Sequence, residues 1–268
     1  MKRQFYIPAL VLLIFSCTKD GEIRRDVSGA KLQFVKVNGG DIIQEENIYN
    51  ESGNIKTRIS YKDYAAGLIF SKTTYTYERD ELIQTDDQVD FSSSTFSTQY
   101  QYSRSRFEYS GNRIIQRNHY LKTGDDYELR SFTVFSYDDP GRPVKQTRYS
   151  ADGELLGYTI YTYKGNNVAQ SEAYSINQSN AEPVPAFKYS YKYDNKKNPY
   201  REVYHSIENI PFSVNENNIT ETISVNYNIY PLSAQGVSST SQTTYVYNSL
   251  GYPSLMNENG NEFILEYK

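Results

Sequence analysis

Few residues of this chain have the types and spacing that metal chemistry requires. Three carboxylates lie close together at Asp86, Asp87 and Asp90, and carboxylate oxygens are the ligands that Ca²⁺ prefers. Their spacing matches no EF-hand loop, and the glycine that turns such a loop is missing, so a solvated acidic segment is favoured over a calcium site. His119, which we expect at the surface of its strand, and His205 are the two histidines, whereas a catalytic zinc site generally draws on two or three histidines with a carboxylate. The sequence therefore predicts no metal site and no cofactor.

Signals for covalent or acid–base catalysis are equally weak. A serine nucleophile of the hydrolase type needs Gly-x-Ser-x-Gly at a turn from a strand into a helix, and the sequence contains neither that motif nor a helical period. Two carboxylates could still meet in space to hydrolyse a glycosidic bond, although no local pattern favours one pair. We therefore expect a protein that is not an enzyme. The alternative is a glycan-processing enzyme with acidic residues on insertion loops.

The clearest chemistry belongs to Cys17, the only cysteine. It follows two N-terminal cations, Lys2 and Arg3, and an apolar run over residues 5–15. That run is too short to span a bilayer as a helix, which takes about 20 residues, and it fits the apolar region of a secretory signal. A single cysteine cannot build a disulfide framework, so its position directly after a signal of this kind indicates another role.

The apolar run ends Ile14-Phe15-Ser16-Cys17, which resembles a bacterial lipobox. The resemblance implies that residues 1–16 are a lipoprotein signal peptide and that Cys17 carries a diacylglycerol thioether and an N-acyl chain such as palmitate. Two or more acyl chains anchor a protein stably to a membrane. Residues 17–30 are then the lipidated cysteine and a polar, flexible tether. Thr18, in place of Asp after the cysteine, points to an outer-membrane lipoprotein of the cell envelope that faces the periplasm or the cell surface.

The composition narrows the class of partner. The chain has 28 Tyr and 12 Phe, and a disordered chain lacks such residues because they bury large areas. The net charge is −4 and the charges are scattered, so no nucleic-acid footprint is present. The expected partners are the membrane, through the lipid anchor, and a glycan or an envelope protein.

The groups named above must be positioned by strands, because one extended unit recurs along the chain. The unit is an aromatic-x-Tyr pair, a polar turn with Gly or Asn, and a second extended run. The second aromatic residues of successive pairs are Tyr49, Tyr77, Tyr109, Tyr137, Tyr163, Tyr193 and Tyr247. Their spacing is near 28, for example 137 − 109 = 28, which holds two strands and two turns. The last step, 247 − 193 = 54, predicts one degenerate unit, for which Asn226-Tyr227 is the best remnant.

Within each unit the aromatic residues alternate with polar ones, as Tyr161, Thr162 and Tyr163 illustrate. Alternation with period two is typical of a strand with one buried face. The predicted fold over residues 31–268 is an all-β antiparallel meander of about 14 strands. A sheet of that size should curl or close into a barrel, which also protects its edges. Larger insertions are expected at 85–98, 175–186 and 205–243.

The unit resembles the YD repeat of Rhs and wall-associated proteins, and the Tyr-repeat lipoproteins of unknown function of the Bacteroidota. Its fullest copy is Tyr137-Asp-Asp-Pro-Gly-Arg142, and the resemblance covers about residues 45–268. It implies a hairpin array in the envelope with a binding or structural role. Tyr residues inside the repeats are expected to be core and cross-strand ladder residues. Tyr227 and Tyr230, in the last insertion, are the candidate ligand-binding residues, because tyrosine rings can stack on sugars.

Overall fold

A computed structural model describes residues 30–92, 100–177, 179–204, 207–227 and 236–268. The predicted signal peptide, the lipidated Cys17, nearly all of the tether, His205 and Tyr230 lie outside the described residues. No helix among the described residues is long and apolar enough to cross a membrane.

The described chain forms sixteen antiparallel strands. In chain order they are β1 Leu32–Val37, β2 Ile42–Tyr49, β3 Ile55–Asp63, β4 Leu68–Glu78, β5 Glu81–Asp90, β6 Tyr100–Ser110, β7 Arg113–Thr123, β8 Asp126–Tyr137, β9 Pro143–Ser150, β10 Leu155–Lys164, β11 Asn167–Ile176, β12 Pro183–Lys197, β13 Asn217–Asn226, β14 Val237–Tyr247, β15 Pro253–Glu258 and β16 Asn261–Tyr267. Two short 3₁₀ helices, Asn38–Gly40 and Pro199–Glu202, complete the described elements.

Each strand pairs with its neighbours in the sequence, and β1 pairs with β16, so the meander closes into a barrel. The all-β antiparallel prediction is confirmed, with sixteen strands in place of about fourteen. The two additional strands come from the chain ends. β16 ends in Tyr267 like the first strand of a repeat, and β1, from the other end of the chain, takes the place of its second strand.

The predicted degenerate unit between Tyr193 and Tyr247 is wrong, because β12, β13 and β14 belong to one continuous hairpin series. The spacing of 54 arises from two long connections, 198–216 and 227–236. The predicted insertions at 85–98, 175–186 and 205–243 also contain the strand residues 85–90, 175–176, 183–186, 217–226 and 237–243. β13 and the first part of β14 lack the repeat signal because their lumen-facing positions are mostly Thr, Ser and Asn, and the aromatic pair of β14 begins only at Tyr245.

The repeated tyrosine has a specific structural role. At the barrel end where the even-numbered strands finish, which we call the tyrosine end, its hydroxyl donates in six strands to a backbone carbonyl at the start of the preceding strand. The donor–acceptor pairs are Tyr49–Leu32 (2.8 Å), Tyr109–Leu82 (2.9 Å), Tyr137–Ile114 (2.6 Å), Tyr163–Pro143 (2.8 Å), Tyr193–Val168 (2.6 Å) and Tyr267–Pro253 (2.6 Å). On β14 the other tyrosine of the pair, Tyr245, makes this bond, to Ile219 (2.8 Å), and Tyr247 donates to Asp194. A ring that fills the lumen thus also ties adjacent strands together, which explains why the unit keeps Tyr rather than Phe at this position.

Small hydroxyl side chains lie next to the aromatic pairs, on the same lumen-facing side of the strands and further from the tyrosine end. Thr73, Thr85, Ser105, Thr133 and Ser171 face the lumen and are buried. Because their side chains are short, they cannot fill a barrel of this strand number on their own. The space is taken by the described residues of connection 198–216, which are 198–204 and 207–216 and which we call the plug.

The plug supplies the centre of the core. Val203, Ile207 and Val214 are 0%, 3% and 6% exposed, although they lie outside any strand. Val203 and Ile207 join the larger apolar cluster with β1–β8 and β16, and Val214 joins a second cluster with Tyr161 and Val168. The plug therefore packs against both sides of the lumen.

Candidate functional site

Asparagine side chains hold the plug in place. Asn198 donates to the carbonyl oxygens of Phe212 (2.8 Å) and Asn215 (3.0 Å) and accepts from the amide of Tyr200 (3.0 Å). Asn215 is 0% exposed, accepts from the amide of Val168 (2.7 Å) and donates to the hydroxyl of Tyr193 (2.8 Å). Buried amides satisfied in this way fix one conformation, since an unpaired polar group would be costly there.

A cavity of about 470 Å³ lies between the plug and the strands β1–β4 and β13–β16. We call it the lumenal cavity. Its aromatic lining comes from both the plug and the barrel wall, and consists of Tyr61, Phe70, Tyr200, Tyr204, Phe212, Tyr245 and Phe263. The side-chain amides that line it are Gln44, Asn198, Asn209, Asn217 and Asn218. Its volume falls within the range of small-molecule sites, about 300–1,000 Å³.

The aromatic wall is packed into a defined shape. The ring centroid of Tyr200 is 6.0 Å from that of Tyr204 and 6.0 Å from that of Phe212, stacked in the first case and edge-on in the second. The guanidinium of Arg58 lies over the Tyr204 ring, 4.6 Å from its centroid. Burial raises the pKa of Tyr200 and of Tyr204, so both hydroxyls stay protonated near neutral pH and can donate a hydrogen bond.

Two carboxylates, Glu45 on β2 and Glu258 at the end of β15, also line the lumenal cavity. Burial raises the pKa of Glu45, and this effect outweighs the hydrogen bond from Asn47 (3.0 Å) and the charge of Arg58, which both lower it. The lining of the cavity therefore combines aromatic faces, side-chain amides and the carboxyl group of Glu45, which has a raised pKa.

Asp86, Asp87 and Asp90, which are close in sequence, do not form one site, because each carboxylate has a different partner. Asp87 faces the lumen and accepts from Thr73 (2.6 Å), whereas Asp86 faces outward and pairs with Arg104 (2.7 Å). Asp90 pairs with Lys62 (3.2 Å). No group of three or more His, Cys, Asp or Glu that could hold a metal ion is found in the described part of the chain.

The remaining sequence-predicted residues lie apart from the lumenal cavity. His119, expected at the surface, is instead half-buried, and on β7 it lies opposite the buried Ser105 of β6, beside the charges of Arg117 and Asp87; the alternation on β7 places it on the inner face. The amide of Tyr227 donates to the carbonyl of Ala186 (3.0 Å), and the Tyr227 side chain does not line the cavity. Its role as a ligand-binding residue stays a prediction, as does that of Tyr230.

No protein-family model matches the chain, and a search of curated proteins finds no match. Among solved structures, a porin-like protein from Bacteroides uniformis aligns with 88% of this chain and 98% of its own, at 10% identity and a TM-score of 0.48. A DUF3836 family protein from Parabacteroides distasonis aligns with 52% of this chain and 87% of its own, at 12% identity and a TM-score of 0.23. The site is therefore interpreted from its own geometry.

The plug is the functional feature that sequence reasoning missed. Its signal was present as four apolar residues at intervals of three or four, Val203, Ile207, Ile210 and Val214, in a segment bounded by asparagines. A surface loop has no need of that apolar content. Read in this way, the segment indicates a connection that folds into the interior.

Proposed function

We propose that this protein is a non-catalytic lipoprotein of the cell envelope that binds a glycan fragment in the lumenal cavity. The observation that carries the proposal is the lining of that cavity, which combines aromatic faces with side-chain amides. Sugar rings present apolar faces and hydroxyl edges, so such a lining can stack on the former and hydrogen-bond to the latter. The shape is pre-formed by the plug, which lowers the entropic cost of binding.

The charged outer surface of the barrel supports the proposal that the barrel lies in water and is attached to the membrane through Cys17. Ion pairs join adjacent strands on the outward face: Lys36–Glu266 (2.6 Å), Arg104–Asp86 (2.7 Å), Lys188–Glu172 (2.8 Å) and Lys192–Glu221 (2.8 Å). A lipid-facing strand surface needs an apolar band, and a Lys or Arg at its middle costs about 2–4 kcal/mol. A lipid anchor then supplies the membrane attachment that this surface does not favour.

Glycan hydrolysis is the second candidate, and one observation favours it. Glu45 and Glu258 line the same cavity, and the raised pKa of Glu45 suits a general acid. These carboxylates lie on strands rather than on the insertion loops expected from the sequence. The two candidates differ in the fate of a bound glycan, which is released intact by a binding protein and cleaved by a hydrolase.

The test uses the chain from Thr18 onward on a glycan array, followed by calorimetric titration of the best-binding glycan. Thr243 lines the cavity from β14, and Thr244, the next residue, faces outward and is exposed. We expect Thr243→Phe to fill the cavity and weaken binding at least tenfold, whereas the matched control Thr244→Phe binds like wild type. Equal binding by both variants would place the glycan elsewhere. Cleavage products that disappear in Glu45→Gln would favour the hydrolase.

A further inference from the structure

A second cavity, of about 290 Å³, lies among the strands β7–β12. It shares no lining residue with the lumenal cavity, so inferences about it do not depend on the proposed glycan site. Two arginines line it, Arg117 from β7 and Arg148 from β9. No Asp or Glu is found among the described residues that line it.

The strand register brings the two arginines to one face. Arg117 lies opposite Thr133 of β8, and Thr133 lies opposite Arg148 of β9. Strands in a sheet are about 4.8 Å apart, so the two arginine backbones flank Thr133 at a separation of roughly 10 Å. Two side chains of this length can place their guanidinium groups on either side of one small anion.

The charges of this pair are incompletely matched. Burial lowers the pKa of Arg117. The negative charges of Glu208 and Asp87 raise it in part, and the positive charge of Arg148 lowers it. The Nε of Arg117 is buried without a hydrogen-bond partner. Arg148 forms no ion pair with any residue in the described part of the chain and is exposed to solvent, so its guanidinium is open to an incoming anion. A buried guanidinium donor without an acceptor is unfavourable, and a bound anion would remove that cost.

The rest of the lining suits an oxyanion. Hydroxyl and amide donors come from Thr133, Thr159, Ser175 and Gln146. Gly157 brings β10 close to β11 at this point, because a Cβ there would lie 2.4 Å from the carbonyl oxygen of Tyr174. Phe187, Ala173 and Ala186 form apolar parts of the wall, and an apolar boundary strengthens a charge-assisted hydrogen bond.

We propose that this cavity is a binding site for a small oxyanion, either a free anion such as phosphate or the carboxylate of an acidic sugar. The planar guanidinium presents paired N–H groups that match the two oxygens of a carboxylate or phosphate. Arg148 and Arg117 bind the anion through their guanidinium groups, and the hydroxyl groups donate further hydrogen bonds to it. The volume limits the ligand to about the size of a monosaccharide.

The test is calorimetric titration of the chain from Thr18 onward with phosphate, sulfate, glucuronate and glucose at one ionic strength. The proposal expects glucose not to bind at this site and at least one anion to bind. Binding of phosphate or sulfate identifies a free-anion site, and binding of glucuronate alone identifies the acid group of a sugar. Arg148→Gln should weaken anion binding at least tenfold. Arg106→Gln, which removes an outward-facing arginine that pairs with Gln84 (3.3 Å), should leave it unchanged.

Melting curves give a second readout. Because Arg148 is exposed, its repulsion with Arg117 is screened by water, so Arg148→Gln should leave the melting temperature in anion-poor buffer nearly unchanged. A binding anion should raise the melting temperature of wild type and raise that of Arg148→Gln less. Arg148→Lys keeps the charge and loses the paired N–H groups, so its anion-dependent increase should also be smaller than that of wild type. The proposal is overturned if no anion binds, if Arg148→Gln binds as wild type does, or if Arg106→Gln loses binding equally.

Discussion

Replacing Tyr163 by Phe removes one hydroxyl group and leaves the ring in place. That hydroxyl donates to the carbonyl of Pro143 at 2.8 Å, and Pro143 is fully buried. Leaving a buried carbonyl without its donor costs about 1–3 kcal/mol. For a domain of this size each kcal/mol shifts the melting temperature by about 2–4 °C, so Tyr163→Phe should melt several degrees below wild type.

Tyr163→Ala removes the ring as well. The ring packs against the cluster of Tyr161, Val168 and Val214, and the guanidinium of Arg142 lies 4.5 Å from its centroid. Loss of an aromatic side chain from a packed site costs about 3–5 kcal/mol. The alanine variant should therefore be less stable than the phenylalanine variant by about 2 kcal/mol, the difference between these two ranges.

The assay is thermal and urea unfolding followed by far-UV circular dichroism on the chain from Thr18 onward. The matched control is Tyr158→Phe on the same strand. Tyr158 stacks on Tyr174 at 4.8 Å, and its hydroxyl forms no hydrogen bond to the described residues. A change that keeps the ring and removes no hydrogen bond should stay within about 0.5 kcal/mol. If Tyr163→Phe lowers the stability as little as Tyr158→Phe, the tyrosine-to-carbonyl hydrogen bonds do not hold the strands together, and the explanation of the repeat fails.

Three further results are expected. Cys17→Ser should abolish fatty-acid labelling and release the protein from membranes; continued labelling would refute the lipoprotein prediction. Asn215→Ala removes the bonds to Val168 and Tyr193, so it should destabilise by about 2–3 kcal/mol and admit protease to the plug; resistance equal to wild type would show that the plug is held by its apolar residues alone. The raised folded-state pKa of Glu45 means that the folded protein holds this proton more tightly than the unfolded chain, so wild type loses stability as pH rises from about 4 through that pKa. Glu45→Gln should not show this loss, and parallel stability profiles of the two proteins between pH 4 and 7 would contradict the assignment.

The repeats could be predicted from the sequence because each unit carries its own local signals. The alternation around Tyr163 and the turn at Gly165-Asn166 specify a hairpin without reference to the rest of the chain. Closure is a property of the whole array, and β1 has no aromatic-x-Tyr pair to mark it as the partner of β16. The sequence therefore predicts a curled or closed sheet without the number of strands that completes it.

The candidate site could not be predicted in the same way. Its lining comes from residues far apart in the sequence, such as Glu45, Tyr200 and Tyr245, which meet because the barrel closes and the plug folds inward. Period-two patterning says which face of a strand is buried and says nothing about which strands face each other across a lumen. The plug lacks that pattern altogether, so the sequence predicts only an insertion at 205–243, which contains the second part of the plug.

A crystal structure of the chain from Thr18 onward, soaked with the best-binding glycan from the array, tests the central claim most directly. We expect the sugar in the lumenal cavity, with a ring face against Tyr200, Tyr245 or Phe263 and hydroxyl groups at the amide of Gln44 and the carboxyl group of Glu45. A glycan on the outer face of the barrel, or a lumenal cavity that stays free of sugar while the protein is saturated in solution, would contradict the account.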